Sequence, residues 1–117
     1  MLRGAIVHGD GLGKKLGYPT ANIDCDKSEV HLGPGVYAAI ATLDNKKYIA
    51  ALVIMSKPPK VEAHLVEYEG PDVYGKYLTI EPVQKVGTIS KFYTNDELKE
   101  KIAEDIALVK EVFDDPE

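Results

Sequence analysis

Two hydrophobic periods divide the chain near residue 94. Up to residue 86, apolar residues occur in short runs or alternate with polar residues, a pattern typical of β-strands. Beyond residue 94 they recur every three or four positions, as they do along one side of an α-helix. Glycine, proline and polar turn residues separate the short runs. The pattern therefore predicts a series of strands followed by one C-terminal helix.

The strand region is predicted to contain about six strands. They span residues 2–8, 21–24, 36–43, 48–55, 61–68 and 77–86. The fourth is almost continuously apolar, which is expected of a strand covered on both faces. Alternation in the fifth places Glu62, His64 and Val66 on the face opposite Leu65. Pro82 lies within the sixth, so that strand is predicted to form an edge or to contain a bulge.

The start of the helix is marked by Thr94 and Glu97, which have the spacing of a capping box. The helix is predicted over residues 95–113, with an apolar stripe formed by Leu98, Ile102, Ile106, Val109 and Phe113. Short strands in series, without helices between them, favour an antiparallel barrel or sandwich over a Rossmann-type sheet. Because the apolar stripe must be buried, we expect the helix to cover one open end or edge of the barrel.

Composition narrows the class of protein. The 117 residues allow one domain with a modest core. A net charge of −5 argues against broad electrostatic binding to nucleic acid or to an anionic membrane. No apolar run is long enough to cross a bilayer, and residues 1–4 carry no signal-peptide pattern. The single cysteine, Cys25, cannot form an intramolecular disulfide, so a cytoplasmic location is expected.

The segment 9–22 is the clearest candidate for a binding site. Its four glycines leave a loop with few side chains, whose backbone N–H groups can approach an anion. Lys14 and Lys15 suit a polyphosphate, whereas Thr20 and Asn22 point to the same side of an extended chain and supply oxygen ligands for Mg²⁺. The spacing matches neither a Walker loop nor a Rossmann fingerprint. A glycine-rich hairpin connection therefore stays open as the alternative.

Glu62 and His64 are the candidates for proton transfer. A carboxylate in a half-buried barrel mouth could act as general base toward a hydroxyl, although a solvent-facing Glu–His pair is the simpler interpretation of the alternation. The remaining histidines, His8 and His31, do not have zinc-ligand spacing. Tyr74, beside a glycine at a turn, is a candidate wall for a base or ring.

Several of these motifs, in this order, closely resemble riboflavin kinase. The resemblance runs through essentially the whole chain, and its most specific part is the run Leu16-Gly17-Tyr18-Pro19-Thr20-Ala21-Asn22. The other matching segments are Gly35-Val36-Tyr37, Val61-Glu62-Ala63-His64-Leu65, Asp72-Val73-Tyr74-Gly75 and Lys91-Phe92. The resemblance implies a six-stranded antiparallel Greek-key β-barrel with one C-terminal α-helix. It also implies transfer of the γ-phosphoryl group of ATP to the 5′-hydroxyl of riboflavin, which gives FMN.

The resemblance assigns roles to individual positions. Thr20 and Asn22 match the ligands of Mg²⁺, and Glu62 matches the acidic residue that activates the hydroxyl. Positions that match nucleotide-binding residues are Gly9, Lys14, Leu65 and Tyr74. The implied small-molecule partners are riboflavin or FMN and ATP or ADP, and we expect a monomer that does not bind nucleic acid or a membrane.

Two departures leave alternatives open. Gly87 and Ile89 stand where the family usually has an arginine and a glutamate on the flavin side, and residues 54–59 lack a glycine that is usual there. The flavin contacts are therefore left unassigned. A non-catalytic flavin or nucleotide binder is one alternative, and a kinase with a different donor or acceptor is another. The 117 residues leave no room for an adenylyltransferase domain, so we expect no FAD synthesis.

Overall fold

The computed structural model of the chain describes residues 1–7, 21–25, 30–56, 59–68, 73–89 and 94–113. Within these ranges, six strands precede one helix. The elements are β1 (Leu2–Val7), β2 (Ala21–Asp24), β3 (Gly35–Leu43), β4 (Lys46–Ser56), β5 (Pro59–Leu65), β6 (Tyr77–Gly87) and α1 (Asn95–Phe113).

The strands close into a barrel in the order β1-β2-β5-β4-β3-β6. Every neighbouring pair is antiparallel, including β1 with β6, which closes the ring. The connections from β2 to β3 and from β5 to β6 join strands that are not neighbours, as in a Greek key. Closure leaves no unpaired sheet edge. The predicted six-stranded antiparallel barrel with a C-terminal helix is confirmed.

Alternation along each strand sends one set of side chains into the barrel. The largest fully buried members are Ile6, Leu52, Leu78 and Ile80, and smaller residues such as Ala39 fill the remaining space. Removing each such large apolar side chain from water stabilises the fold by about 1.5–3 kcal/mol. The interior is therefore occupied by packed side chains, and polar chemistry is confined to the outer face and the rims.

The predicted irregularity at Pro82 is confirmed as a bulge in β6. Ala39 pairs with Pro82, whereas the adjacent Ala38 pairs with Gln84, so Val83 is the extra residue. Proline has no N–H to donate to the strand ladder, so it is tolerated within a sheet mainly at edges and bulges. Pairing between β3 and β6 continues on both sides of this bulge.

The fifth strand is shorter than predicted. It ends at Leu65, not Tyr68, because Glu67 adopts a left-handed conformation with φ of 61°. The backbone N–H of Val66 donates to the carbonyl of Ile49 at 2.8 Å, and the Val66 side chain is buried. That Val66 shares the face of Glu62 stays a prediction, since β5 ends one residue before it.

The helix begins at the predicted capping box. The Thr94 N–H donates to Glu97 Oε1 at 2.8 Å, and the Glu97 N–H donates to Thr94 Oγ1 at 3.1 Å. Hydrogen bonding to the Glu97 carboxylate, first from the Thr94 backbone N–H and then from the Thr94 side chain, holds the pKa of Glu97 below its usual value. The reciprocal bonds satisfy two backbone donors at the start of the helix.

The helix packs on the outer wall of the barrel, against β3, β4 and β6, and not over an open end or edge as expected. Ala38 on β3 and Ala51 on β4 form a small-residue surface on which the fully buried Val109 rests. Partly buried side chains extend the contact, among them Ile49, Val86 and Phe113. The reason is steric, since alanines on an outer face let a helix backbone approach closely. No helix of the described residues is both long and apolar enough to cross a membrane.

Candidate active site

Two of the predicted site residues are direct neighbours on the outer face of the barrel. Asn22 on β2 is the register partner of Glu62 on β5. The flanking residues Ala21 and Ala63 are buried in the core, so Asn22 and Glu62 both point outward. Side chains opposite each other in an antiparallel pair have Cβ atoms about 4.5–5.5 Å apart. An amide and a carboxylate are thus brought together from residues 40 positions apart in the chain.

Next to this pair lies the rim of the barrel at which β1 and β5 end and β2 and β6 begin. The chain leaves the barrel after Val7 and re-enters it at Ala21, and β1 and β2 pair there. The turn that precedes β6 is fastened to the same rim, since the Gly75 N–H donates to the Ile6 carbonyl at 2.9 Å. Val7 and Ala21, the described residues that flank positions 8–20, therefore both lie beside Asn22 at this rim.

Two of the residues predicted to bind the nucleotide, Leu65 and Tyr74, lie near this rim. Leu65, at the end of β5, turns its side chain into the barrel core, whereas Tyr74 is exposed in the turn before β6. A contact of either residue with a nucleotide stays a prediction. Gly9, Lys14 and Thr20 lie outside the described residues.

A cation that the sequence analysis did not single out accompanies Glu62. Lys60 Nζ lies 3.5 Å from Glu62 Oε2, with the two side chains 34% and 18% exposed. The residues are two positions apart on one strand, so they point to the same face. The predicted fifth strand began at residue 61, so the sequence analysis did not place Lys60 on it, whereas the structure begins β5 at Pro59.

On the other side of Glu62, the outward row continues toward the helix. The row passes through Val53 on β4 and Val36 on β3 to Gly87 on β6. Val53 is half-buried, whereas Val36 is only 2% exposed and lies beside Gly87. The outer surface available to a ligand therefore extends from Asn22 through Glu62 to about Val53.

Gly87 lies beneath an ion pair of the helix. A Cβ placed on Gly87 would be 3.4 Å from Asp105 Oδ1 and 3.5 Å from Lys101 Nζ. Lys101 and Asp105, spaced i,i+4, are themselves hydrogen-bonded. Burial raises the pKa of the Asp105 carboxyl, and the Lys101 ammonium opposes that rise. The space beside residue 87 is thus occupied by side chains from α1.

Comparison of the sequence with known protein families identifies one match. Residues 1–113 match the Flavokinase family, described as riboflavin kinase. The chain belongs to the riboflavin kinase family. The resemblance recognised in the glycine-rich run and in the Glu62 strand is confirmed.

Individual relatives agree with the assignment to the riboflavin kinase family. The chain is 34% identical over 121 residues to a bifunctional riboflavin kinase/FMN adenylyltransferase from Buchnera aphidicola, covering 96% of this chain and 38% of the relative. The chain therefore spans less than two fifths of the length of that relative. A crystal structure of riboflavin kinase from Trypanosoma brucei matches with a TM-score of 0.70 and 26% identity, over 98% of this chain and 80% of that one.

A second solved structure shares the fold. A structure described as a macrolide-efflux protein from Streptococcus pneumoniae matches with a TM-score of 0.82, over 93% of this chain and 38% of that one. At 23% identity, this likeness concerns the barrel and helix alone.

The donor set beside Glu62 suits a hard cation. Asn22 offers an amide oxygen and Glu62 a carboxylate, and magnesium is usually held by one or two protein groups together with phosphate oxygens and water. In the part of the chain that the structure describes, no group of three or more His, Cys, Asp or Glu residues could hold a metal ion.

Proposed function

We propose that this chain is a riboflavin kinase domain, extending over residues 1–117, which transfers the γ-phosphoryl group of ATP to the 5′-hydroxyl of riboflavin. Membership of the riboflavin kinase family supports a phosphotransferase with these substrates. The observation that carries the assignment to a site is the register pairing of Asn22 with Glu62 beside the rim where the glycine-rich segment begins and ends. We further propose that the domain acts as a monomer in the cytoplasm.

Glu62 would act as the general base. Its carboxylate accepts the proton of the 5′-hydroxyl while that oxygen forms a bond to the γ-phosphorus. The bond between that phosphorus and the oxygen bridging it to ADP breaks, so ADP leaves with the electron pair. The proton then passes from Glu62 to water. This role requires the hydroxyl within about 2.6–3.2 Å of the carboxylate, which the outward, half-buried position of Glu62 permits.

The donor nucleotide would lie at the rim. Asn22 and Thr20 would hold Mg²⁺, Gly9 and Lys14 would contact the phosphates, and the adenine would lie near Leu65 and Tyr74. When bound, Mg²⁺ supplies positive charge to the phosphate oxygens and orients them for in-line transfer. The contribution of the protein is then to hold both substrates on the β2–β5 strand pair. Holding them together lowers the activation free energy, because the reaction between them no longer requires a bimolecular encounter.

A second candidate, binding of flavin or nucleotide without turnover, is favoured by one observation. The resemblance places an arginine where this chain has Gly87, and the helix ion pair lies beside that glycine, which supports a different set of flavin contacts. This candidate predicts quenching of riboflavin fluorescence without product. A binding protein of this kind would use the same barrel and the same rim as the proposed kinase, but it would not transfer the phosphoryl group.

The deciding experiment incubates the purified chain with riboflavin, ATP and MgCl₂ and measures FMN by chromatography. We expect FMN from the wild type and from Glu81→Gln, which removes an exposed carboxylate on β6. Glu62→Gln should lower kcat by about 10²–10⁴ because it removes the base. Absence of FMN from the wild type, with riboflavin still bound, would support the second candidate. Undiminished turnover by Glu62→Gln would refute the assigned base.

A further inference from the structure

Lys60 is a cation beside Glu62 to which the family resemblance assigns no role. Its ammonium lies 3.5 Å from Glu62 Oε2, and its side chain is about one-third exposed. The pair sits on β5 with Lys60 toward the β4–β5 connection and Leu65 toward the nucleotide rim. The cation therefore approaches the carboxylate from the side opposite the rim.

One group contacts the Glu62 carboxylate and another neighbours its backbone position. Asn22 faces it across the strand pair from β2, and Lys60 lies two residues along its own strand. A carboxylate that acts as general base must present an oxygen to the acceptor hydroxyl in a fixed orientation. A long glutamate side chain loses conformational entropy when it is held in one rotamer. Because the ion pair exists before the substrate binds, that entropy is not lost during the reaction.

We propose that Lys60 is a positioning residue, which holds Glu62 through Oε2 so that the carboxylate is oriented for the acceptor hydroxyl. The ammonium takes no proton in the reaction. The inference rests on the proposed kinase function and on Glu62 as its base. Lys60 thus orients Glu62 toward the acceptor hydroxyl. The metal and the nucleotide are proposed to bind on the other side of Glu62, beside Asn22 and the rim.

A double-mutant cycle tests the proposal, with kcat and both KM values measured for wild type, Lys60→Met, Glu62→Gln and the double variant. We expect Lys60→Met to lower kcat by about tenfold and to leave the KM for ATP within about twofold, because only the orientation of the base changes. In the Glu62→Gln background, the same substitution should change the residual rate by less than about twofold. Lys60→Arg should restore kcat to within about threefold of wild type, since it keeps the cation.

The matched control is Lys99→Met, which removes an exposed lysine from α1 and should leave both rates unchanged. A tenfold loss that persists in the Glu62→Gln background would overturn the proposal, since Lys60 would then act independently of the base. Where the Glu62→Gln rate is too low to follow, Lys60→Arg decides, and a rate no better than that of Lys60→Met overturns the proposal. Absence of FMN from the wild type would instead refute the kinase function itself.

Discussion

The outer wall of the barrel has two halves with opposite chemistry. On β3 and β4, Ala38 and Ala51 are buried beneath the helix, and Val109 fills the contact. On β2 and β5, the outward residues include Asn22, Lys60, Glu62 and His64, which are half-buried, whereas the main contacts of the helix are with β3, β4 and β6. Both halves are built by the same alternation on the same closed sheet. Only the side chains on the outward positions differ.

The helix half of the wall contributes mainly to stability, and the β2–β5 half carries the polar side chains of the candidate site. Small apolar residues on one half dock the helix and remove it from water, whereas polar residues on the other half keep groups that can bind a cation and accept a proton. Because the core lies inside the ring, neither half has to supply the interior packing. We therefore expect substitutions on the β2–β5 half to lower activity at constant stability, and substitutions on the helix half to do the reverse.

The largest expected effect is on the β2–β5 half. Asn22→Ala should lower the rate of FMN formation by about a hundredfold, since it removes a proposed metal ligand beside the base. Its melting temperature should stay within about 3 °C, because the side chain points away from the core. Initial rates and thermal melts measure the two quantities. Gln84→Ala, which removes an exposed amide from β6, is the control and should change neither. A large fall in melting temperature for Asn22→Ala would erase the distinction between the halves.

The helix half should show the converse effect. Ala51→Leu places extra volume between β4 and α1 and should lower the free energy of unfolding by about 1–3 kcal/mol. Urea titration measures it, and Ala107→Leu provides the same change at an exposed position of the helix, where about 0.5 kcal/mol or less is expected. Equal effects at the two positions would show that the helix is not packed on the alanine surface.

The smallest effect concerns the ion pair above Gly87 and depends on pH. Burial raises the pKa of Asp105 above its ordinary value, with Lys101 opposing, so the folded state binds the proton more tightly than the unfolded state. Its ionisation therefore costs stability as pH rises through the folded pKa, and that cost is absent below the unfolded value. Asp105→Asn removes this titration.

Urea titrations at about pH 4 and about pH 7 test this effect. The stability of wild type relative to Asp105→Asn should be greater at the lower pH, whereas Glu100→Gln, an exposed helix position, should show no such trend. A wild-type advantage that grows with pH would mean that Lys101 outweighs burial.

The fold was largely predictable because its signals are local. Alternation gave the strands, Pro82 marked the bulge, and Thr94 with Glu97 marked the start of the helix. The end of β5 was not predictable, because a left-handed Glu67 carries no glycine or proline signal. The docking of the helix on the outer wall was not predictable either. Ala38 and Ala51 lie on different strands, and they form one surface only through the register of β3 and β4.

The candidate site was only partly predictable without the family motifs. Spacing alone proposed Asn22 as an oxygen ligand for Mg²⁺, but it left a solvent-facing Glu–His pair as the simpler interpretation of Glu62. Their pairing is a property of the β2–β5 register, which no local pattern encodes. Lys60 and the Lys101–Asp105 pair follow spacings visible in the sequence, but their relevance depends on what each meets in three dimensions.

We expect the substrates to bind on the β2–β5 half of the outer wall. The most direct measurement is a backbone amide NMR titration of the wild type with ADP, MgCl₂ and riboflavin. We predict the largest shifts at Asn22, Glu62 and their strand neighbours, with Ala38 and Ala51 nearly unchanged. Shifts concentrated on the helix half, with Asn22 and Glu62 unmoved at saturation, would contradict the account.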